Sequence, residues 1–212
     1  MRAVLLAALV LASCAAAPAP VADDERALAG KVGFPESVLL EAKRHTAKPV
    51  SQLQGLDDDF ESVAVQGLAL SVPGDKALAA LKSLRAALAP QGYLVFRSEA
   101  QFGHGPDTLA ILKTQDQFDA LRTMKTNGAN FDIDTDRVVA RLGAWHRQYG
   151  LDIYGAGLDF VEAHFVRQPP DMRAFAQEVY EFCPDVVDQG AGSVAALAHE
   201  MKRENMLYLW WD

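Results

Sequence analysis

The chain has 212 residues, of which 50% are hydrophobic and 23% are charged, and this balance excludes a disordered, collagenous or repeat protein. Its 28 Asp and Glu outnumber its 20 Lys and Arg, which gives a formal net charge of -8 at pH 7. Because the chain is acidic and shows no basic cluster along the sequence, we expect no nucleic-acid partner.

The first residues predict an export signal. One positive charge precedes an apolar run over residues 3–12, which has the length of a signal-peptide core and is too short to span a bilayer as a stable helix. The run ends in Leu11-Ala12-Ser13-Cys14, which resembles a bacterial lipobox. We therefore expect residues 1–13 to be removed as a lipoprotein signal peptide and Cys14 to be lipidated.

Ordinary secretion is the alternative, with cleavage near Ala17 or Ala19, but a proline follows each of these residues. If Cys14 is lipidated, Ala15 comes next and is not the Asp that retains enterobacterial lipoproteins in the inner membrane. We therefore expect a lipid anchor in the outer membrane, facing the periplasm. The Ala/Pro-rich and then acidic composition predicts a tether over residues 14–34, which leaves a single domain over residues 35–212.

Apolar periodicity and turn residues divide that domain into helices and strands. In chain order they are a helix over 35–45, a strand over 62–72, a helix over 76–89, strands over 93–97 and 108–113, helices over 115–125 and 136–149, strands over 151–156 and 158–166, helices over 172–183 and 193–203, and a strand over 207–211. A strand, a proline turn and an amphipathic helix occur twice. We therefore expect an α+β fold with a mostly antiparallel sheet, helices on one face and two ferredoxin-like βα halves.

The C-terminal half contains several unusual runs. They are Asn130-Phe131-Asp132-Ile133, Trp145 with Tyr149-Gly150, Asp159-Phe160-Val161-Glu162, Phe182-Cys183-Pro184-Asp185 with Asp188-Gln189-Gly190, and Leu207-Tyr208-Leu209-Trp210-Trp211-Asp212. Together they resemble the bacterial family called domain of unknown function 4253, well over residues 105–212 and loosely over residues 60–104. The resemblance implies a shared fold and no particular activity. The lipobox and the tether are not expected in most members.

Glu162 and His164 are the best candidates for chemistry. They alternate with apolar residues on one predicted strand, so their side chains share one face about 7 Å apart. A carboxylate beside an imidazole can do acid–base work or bind a divalent metal, and Asp185 is a possible companion. The alternative is an exposed sheet face that carries ordinary polar residues.

Cys183 is the one thiol left once Cys14 is lipidated, so we expect no internal disulfide. A nucleophilic cysteine needs a lowered pKa, whereas a helix C-terminus and the nearby Glu178, Glu181 and Asp185 raise it. We therefore interpret Cys183 as a packed structural thiol rather than a catalytic residue.

Two other motifs have simple structural interpretations. Residues 189–193 precede a helix and can offer backbone amides to an anion, but no lysine follows as in a P-loop, so a turn capped by Ser193 is favoured. Residues 132–136 resemble the start of a calcium loop, but Arg137 stands where the loop glycine belongs. Acidic residues at a helix N-terminus explain that run better.

No complete catalytic or metal motif occurs in the sequence, so we expect no cofactor and no metal site. The preferred hypothesis is a binding or interaction module, attached to the membrane through Cys14, that takes an unknown protein or small-molecule ligand. Trp210 and Trp211 point to opposite faces of the last strand, so one of them is free to line a groove. The predicted ligand-binding residues are Asp159, Gln189 and Trp210. The alternative is a periplasmic hydrolase-like enzyme that uses Glu162, His164 and Asp185, with Cys183 as a further candidate.

Overall fold

The structure is a computed structural model that describes residues 18–212. The predicted signal peptide over residues 1–13 and the predicted lipidation site Cys14 lie outside the described residues. The helices are α1 (Asp23–Lys31), α2 (Glu36–Ala42), α3 (Gly74–Leu88), α4 (Asp119–Thr123), α5 (Thr135–Tyr149), α6 (Met172–Phe182) and α7 (Val194–Glu204). The strands are β1 (Ser51–Leu56), β2 (Ser62–Pro73), β3 (Leu94–Glu99), β4 (Pro106–Leu112), β5 (Leu151–Ala156), β6 (Phe160–Phe165) and β7 (Met206–Trp210). None of the helices within residues 18–212 is both long and apolar enough to cross a membrane.

The strands form one seven-stranded sheet in the order β1-β2-β4-β3-β5-β6-β7. All neighbouring strands are antiparallel except β3 and β5, which are parallel. The predicted α+β class with a mostly antiparallel sheet is therefore confirmed. In the first half, β4 lies between β2 and β3, so β2, α3 and β3 form a split β-α-β unit of the ferredoxin-like kind. The prediction of a second ferredoxin-like half is corrected, because β5, β6 and β7 are sheet neighbours and α6 and α7 connect β6 to β7.

Helices cover both faces of the first half of the sheet, so the prediction of helices on one face is corrected for this half. In β4, Leu109 and Ile111 pack in a core with α1, α2 and α3, whereas Ala110 and Leu112 pack in a second core with α4 to α7. A strand buried on both faces has an unbroken apolar run instead of alternation. The run over residues 109–112 is of this kind.

One face of the second half of the sheet has no helix packed over it within the described residues. Val161 and Ala163 of β6 belong to the core under α4 to α7, and Glu162 and His164 alternate onto the opposite face. The core under α1 to α3 stops at Tyr154 of β5. This uncovered face and the loops at its end contain the candidate functional site.

The N-terminal segment differs from the predicted tether over residues 14–34. Residues Asp23–Lys31 form α1, in which Ala29 is buried and the Glu25 carboxylate lies 3.1 Å from the Lys43 ammonium. Three acidic residues in the first turn of α1 favour the helix because they interact with its positive end. The folded body therefore begins before residue 35, and the prediction is corrected for this stretch.

Candidate functional site

A buried group of three charged side chains lies under the uncovered face. Arg97 at the end of β3 contacts both Glu162 on β6 and Asp107 on β4, at 2.8 Å and 3.1 Å. The exposed side-chain fractions are 16% for Arg97, 8% for Glu162 and 7% for Asp107, so two carboxylates share one guanidinium away from water. Glu162 is thus a buried, ion-paired residue and not part of an exposed polar surface.

Gly155 explains how Arg97 reaches Glu162 across an intervening strand. In the sheet register, Gly155 on β5 pairs with Arg97 on one side and with Glu162 on the other. A Cβ atom at Gly155 would lie 3.2 Å from the Cβ atom of Glu162 and 3.3 Å from its Oε2 atom. The missing side chain therefore leaves the space in which the guanidinium and the carboxylate meet.

His164 lies next to Glu162, as the strand alternation predicts. Its Nε2 atom is 3.9 Å from Glu162 Oε1 and its ring centroid is 4.4 Å from that of Tyr154. The other carboxylate oxygen of Glu162 is held by Arg97. Because the guanidinium occupies one of its carboxylate oxygens and the residue is buried, Glu162 serves as an ion-pair partner of Arg97.

Asp185 does not join Glu162 and His164. It follows α6 and uses its two carboxylate oxygens to accept hydrogen bonds from the Gln189 side chain and from the Asp212 backbone N–H, both at 2.9 Å. The predicted hydrolase residues therefore occupy two separate environments. Among the described residues, no three His, Cys, Asp or Glu side chains come together in a way that can hold a metal ion.

Cys183 is fully buried at the C-terminal end of α6, and its thiol donates a hydrogen bond to the carbonyl oxygen of Trp210. Burial, together with the nearby Asp185 carboxylate, raises the pKa of Cys183 to about 12, despite the opposing effect of backbone hydrogen bonds. The thiol is therefore protonated at neutral pH, as expected of a structural cysteine.

Both simple motif interpretations agree with the local geometry. The Ser193 hydroxyl accepts a hydrogen bond from the Ala196 N–H at 3.1 Å, and the Asp134 carboxylate accepts one from the Arg137 N–H at 2.8 Å. Each side chain caps the helix that follows it, α7 and α5 respectively.

An open groove of about 650 Å³ lies at the end of the uncovered face. Four aromatic side chains line it, namely Phe102, Phe160, Tyr208 and Trp210, together with the aliphatic or sulfur-containing Leu56, Met124 and Leu158. Glu99 and Asp159 contribute two carboxylates. We call this feature the aromatic groove. Its volume is within the range of about 300–1,000 Å³ that is common for small-molecule sites.

Tyr208 contacts two of the other aromatic rings that line the aromatic groove. Its ring stacks on Phe160 with centroids 6.2 Å apart and meets the edge of Phe102 at 6.4 Å. Burial raises the pKa of Tyr208 to about 12, and the negative charges of Asp159 and Glu162 act in the same direction. The phenol is therefore neutral at physiological pH and lies in a negative local field.

Phe102 has an unusual backbone for an aromatic residue. Its φ angle is 47°, in the left-handed region, and the residue is 72% exposed in the β3–β4 loop. Bulky residues rarely adopt this conformation, and such strain concentrates at binding sites. The loop thus holds an aromatic ring over the aromatic groove at an energetic cost.

The predicted ligand-binding residues are placed as follows. Asp159 and Trp210 both line the aromatic groove, whereas Gln189 does not line it and is hydrogen-bonded to Asp185. The sequence interpretation missed Phe102, Tyr208 and Arg97. Alternation along β7 places Tyr208 on the same face as Trp210, so Tyr208 could have been predicted from the strand pattern.

The comparisons with known proteins concern the C-terminal half. Residues 108–212 match the family model described as Domain of unknown function (DUF4253), which confirms the resemblance for this part of the chain. The match contains Glu162, Tyr208 and Trp210 but excludes Arg97 and Phe102. No curated protein and no solved structure matches the chain.

Proposed function

We propose that the chain is an envelope-anchored lipoprotein whose folded domain is a binding module. The anchor rests on the lipobox-like run that ends in Cys14, and we place it in the outer membrane, facing the periplasm. The proposal is tested by mass spectrometry of the N-terminal peptide from membranes of the source cells. An acylated Cys14 at the mature N-terminus is expected, and an unmodified Cys14 within a longer peptide contradicts the anchor.

We further propose that the aromatic groove binds a small organic cation that also has an apolar body. The observation that carries this proposal is the combination of four aromatic rings with the carboxylates of Glu99 and Asp159 in one groove. Cations are attracted to the faces of aromatic rings, and the attraction grows when water is partly excluded. The net charge of -8 adds a field that favours the approach of cationic ligands.

Binding without catalysis accounts better for the polar residues than a hydrolase does. An enzyme needs an acid, a base or a nucleophile gathered around one reacting atom. Here Glu162 is ion-paired with Arg97, Asp185 is hydrogen-bonded elsewhere, and the Cys183 thiol is buried and protonated. These three features support the binding module over the hydrolase-like alternative.

The groove is tested by titrating the full chain, carrying Cys14→Ser, with benzyltrimethylammonium in a calorimeter. Phe102→Ala should weaken binding roughly tenfold, because a cation–π contact in a partly dry site is worth about 1–2 kcal/mol. Asp159→Asn should weaken it as well, because one of the two groove carboxylates loses its charge.

Phe60→Ala is the matched control. Phe60 also has a left-handed backbone, with φ of 62°, and is 52% exposed, but it lies in the β1–β2 turn outside the aromatic groove. The Phe60→Ala variant should bind benzyltrimethylammonium as tightly as the parent chain does. Equal weakening by both alanine variants contradicts the site, and a hydrolytic turnover abolished by Glu162→Gln contradicts the binding module.

A further inference from the structure

A second cavity, of about 810 Å³, lies beside the start of α3. Its walls are the loop over residues 43–48, the N-terminal turn of α3 and the β3–β4 loop. Its charged or titratable lining residues are all basic types, namely Lys43, Arg44, His45, Lys48, Lys76 and His104. We call it the basic cavity. Four of these basic residues lie within residues 43–48, and the fold adds Lys76 and His104.

The loop over residues 43–48 is held in place by buried polar contacts. The Lys43 ammonium donates to Glu25 Oε1 at 3.1 Å and to the carbonyl oxygen of Lys48 at 3.0 Å. The Thr46 hydroxyl donates to the Ser71 carbonyl oxygen at 2.7 Å. Lys43 and Thr46 are both at least nine-tenths buried, so the wall of the basic cavity is preformed.

The positive charge in the basic cavity is not fully balanced by the protein. Lys43 and Arg44 are paired with Glu25 and Glu41. Within residues 18–212, neither Lys48 nor Lys76 has a carboxylate within ion-pair distance. The fold therefore leaves two ammonium groups on this cavity in an otherwise acidic chain.

The start of α3 adds to the positive potential. The helix is 15 residues long and its N-terminal residues receive no side-chain cap. Lys76 lies in its first turn, where a cation is unfavourable next to the positive end of the helix. The same turn contains one acidic residue, Asp75, and the Asp107 carboxylate, 3.9 Å from the position of a Cβ atom at Gly74, is already held by Arg97. An anion bound in the basic cavity would offset the repulsion between Lys76 and the positive end of α3.

We propose that the basic cavity binds a phosphate ester. Lysine ammonium groups attract phosphate electrostatically, and backbone amides at a helix N-terminus donate hydrogen bonds to its oxygens. A volume of about 810 Å³ exceeds that of a lone phosphate group and accommodates an organic substituent. The ester can come from a lipid headgroup or from a soluble metabolite.

The lipid source rests on the proposed anchor. The Ala19 N–H donates to the Lys43 carbonyl oxygen at 3.1 Å, so the chain is docked at the rim of the basic cavity five residues after Cys14. Five residues span at most about 18 Å. A lipidated Cys14 would therefore keep the basic cavity near the membrane surface, within reach of anionic headgroups.

The test compares the parent chain with the double variant Lys48→Gln, Lys76→Gln, both as full chains that carry Cys14→Ser. One arm titrates glycerol 3-phosphate in a calorimeter at low salt. The other arm measures sedimentation with phosphatidylcholine vesicles, with and without phosphatidylglycerol. The double variant should bind about 25-fold more weakly, because each lysine contributes roughly a fivefold gain near an anionic group. Lys82→Gln, an exposed position on α3 outside the cavity, should bind as the parent does.

The two arms separate the sources. Glycerol 3-phosphate binding that the double variant loses supports a soluble ester, and this arm depends on neither the anchor nor the aromatic groove. Binding only to phosphatidylglycerol vesicles, again lost in the double variant, supports the headgroup. Absence of binding in both arms, or binding that the double variant retains, overturns the proposal.

Discussion

Arg97→Leu should lower the free energy of unfolding by about 3–5 kcal/mol, because it leaves two buried carboxylates without their shared cation. Asp107 and Glu162 are each less than one-tenth exposed and cannot turn to water without opening the sheet. The measurement is urea unfolding followed by tryptophan fluorescence and circular dichroism. Coincident transitions and an unchanged slope would assign the shifted midpoint to stability.

Arg122→Leu is the matched control for this prediction. Arg122 also contacts two carboxylates, Asp116 and Asp119, at 2.8 Å and 2.7 Å, but its side chain is 46% exposed. Exposed ion pairs are worth about 0–1 kcal/mol, so this variant should barely move the midpoint. Equal effects at positions 97 and 122 would show that burial of the three-residue ion cluster contributes nothing.

Glu25→Ala should also cost about 3–5 kcal/mol, since it leaves the Lys43 ammonium buried without a charge partner. The Glu25 carboxylate additionally accepts hydrogen bonds from the backbone N–H groups of Ala22 and Val50, at 2.8 Å and 2.7 Å. Glu36→Ala is the control, because that residue is 54% exposed in its pair with Arg26. If Glu25→Ala left the free energy of unfolding unchanged, residues 19–34 would belong to the tether that their composition suggests.

The contribution of Glu25 should depend on pH. Burial acts to raise the pKa of Glu25, but the N–H groups of Ala22 and Val50 and the Lys43 ammonium together hold it below its ordinary value. A carboxyl with a lowered folded pKa stabilises the fold above the unfolded pKa of about 4.3 and loses that contribution as the pH falls through the folded pKa. The stability difference between the parent and Glu25→Gln should be constant above about pH 5 and shrink at lower pH. A difference that is flat down to acid unfolding would contradict the ion pair.

Helices with a clear apolar stripe were predictable from the sequence, whereas two elements were not. The prediction for residues 136–149 corresponds to α5, whose buried residues Val138, Leu142 and Trp145 repeat at helical spacing. The first missed element is α1, in which burial falls on Glu25 and Ala29, so no apolar stripe marks it. The second is β1, an edge strand with glutamines at two of six positions.

The candidate site was predictable only where its residues share a strand. Alternation along β6 placed Glu162 and His164 on one face, and the structure brings Trp210 of β7 to that face as well. Alternation along one strand could not predict that Arg97 pairs with Glu162, because the parallel pairing of β3 with β5 brings the two residues together. Strand order across a sheet is set by packing of the whole chain and leaves no local trace in the sequence.

The segment that matches the family is smaller than the unit that folds, because it lacks β3. The matched segment begins at residue 108 within β4, yet β3 lies between β4 and β5 in the sheet. An excised C-terminal half would therefore lose the strand between β4 and β5 and expose unsatisfied edges on both of them, which are templates for aggregation. During synthesis β3 leaves the ribosome before β5, so its free edge is available as a template when the second half of the sheet begins to form.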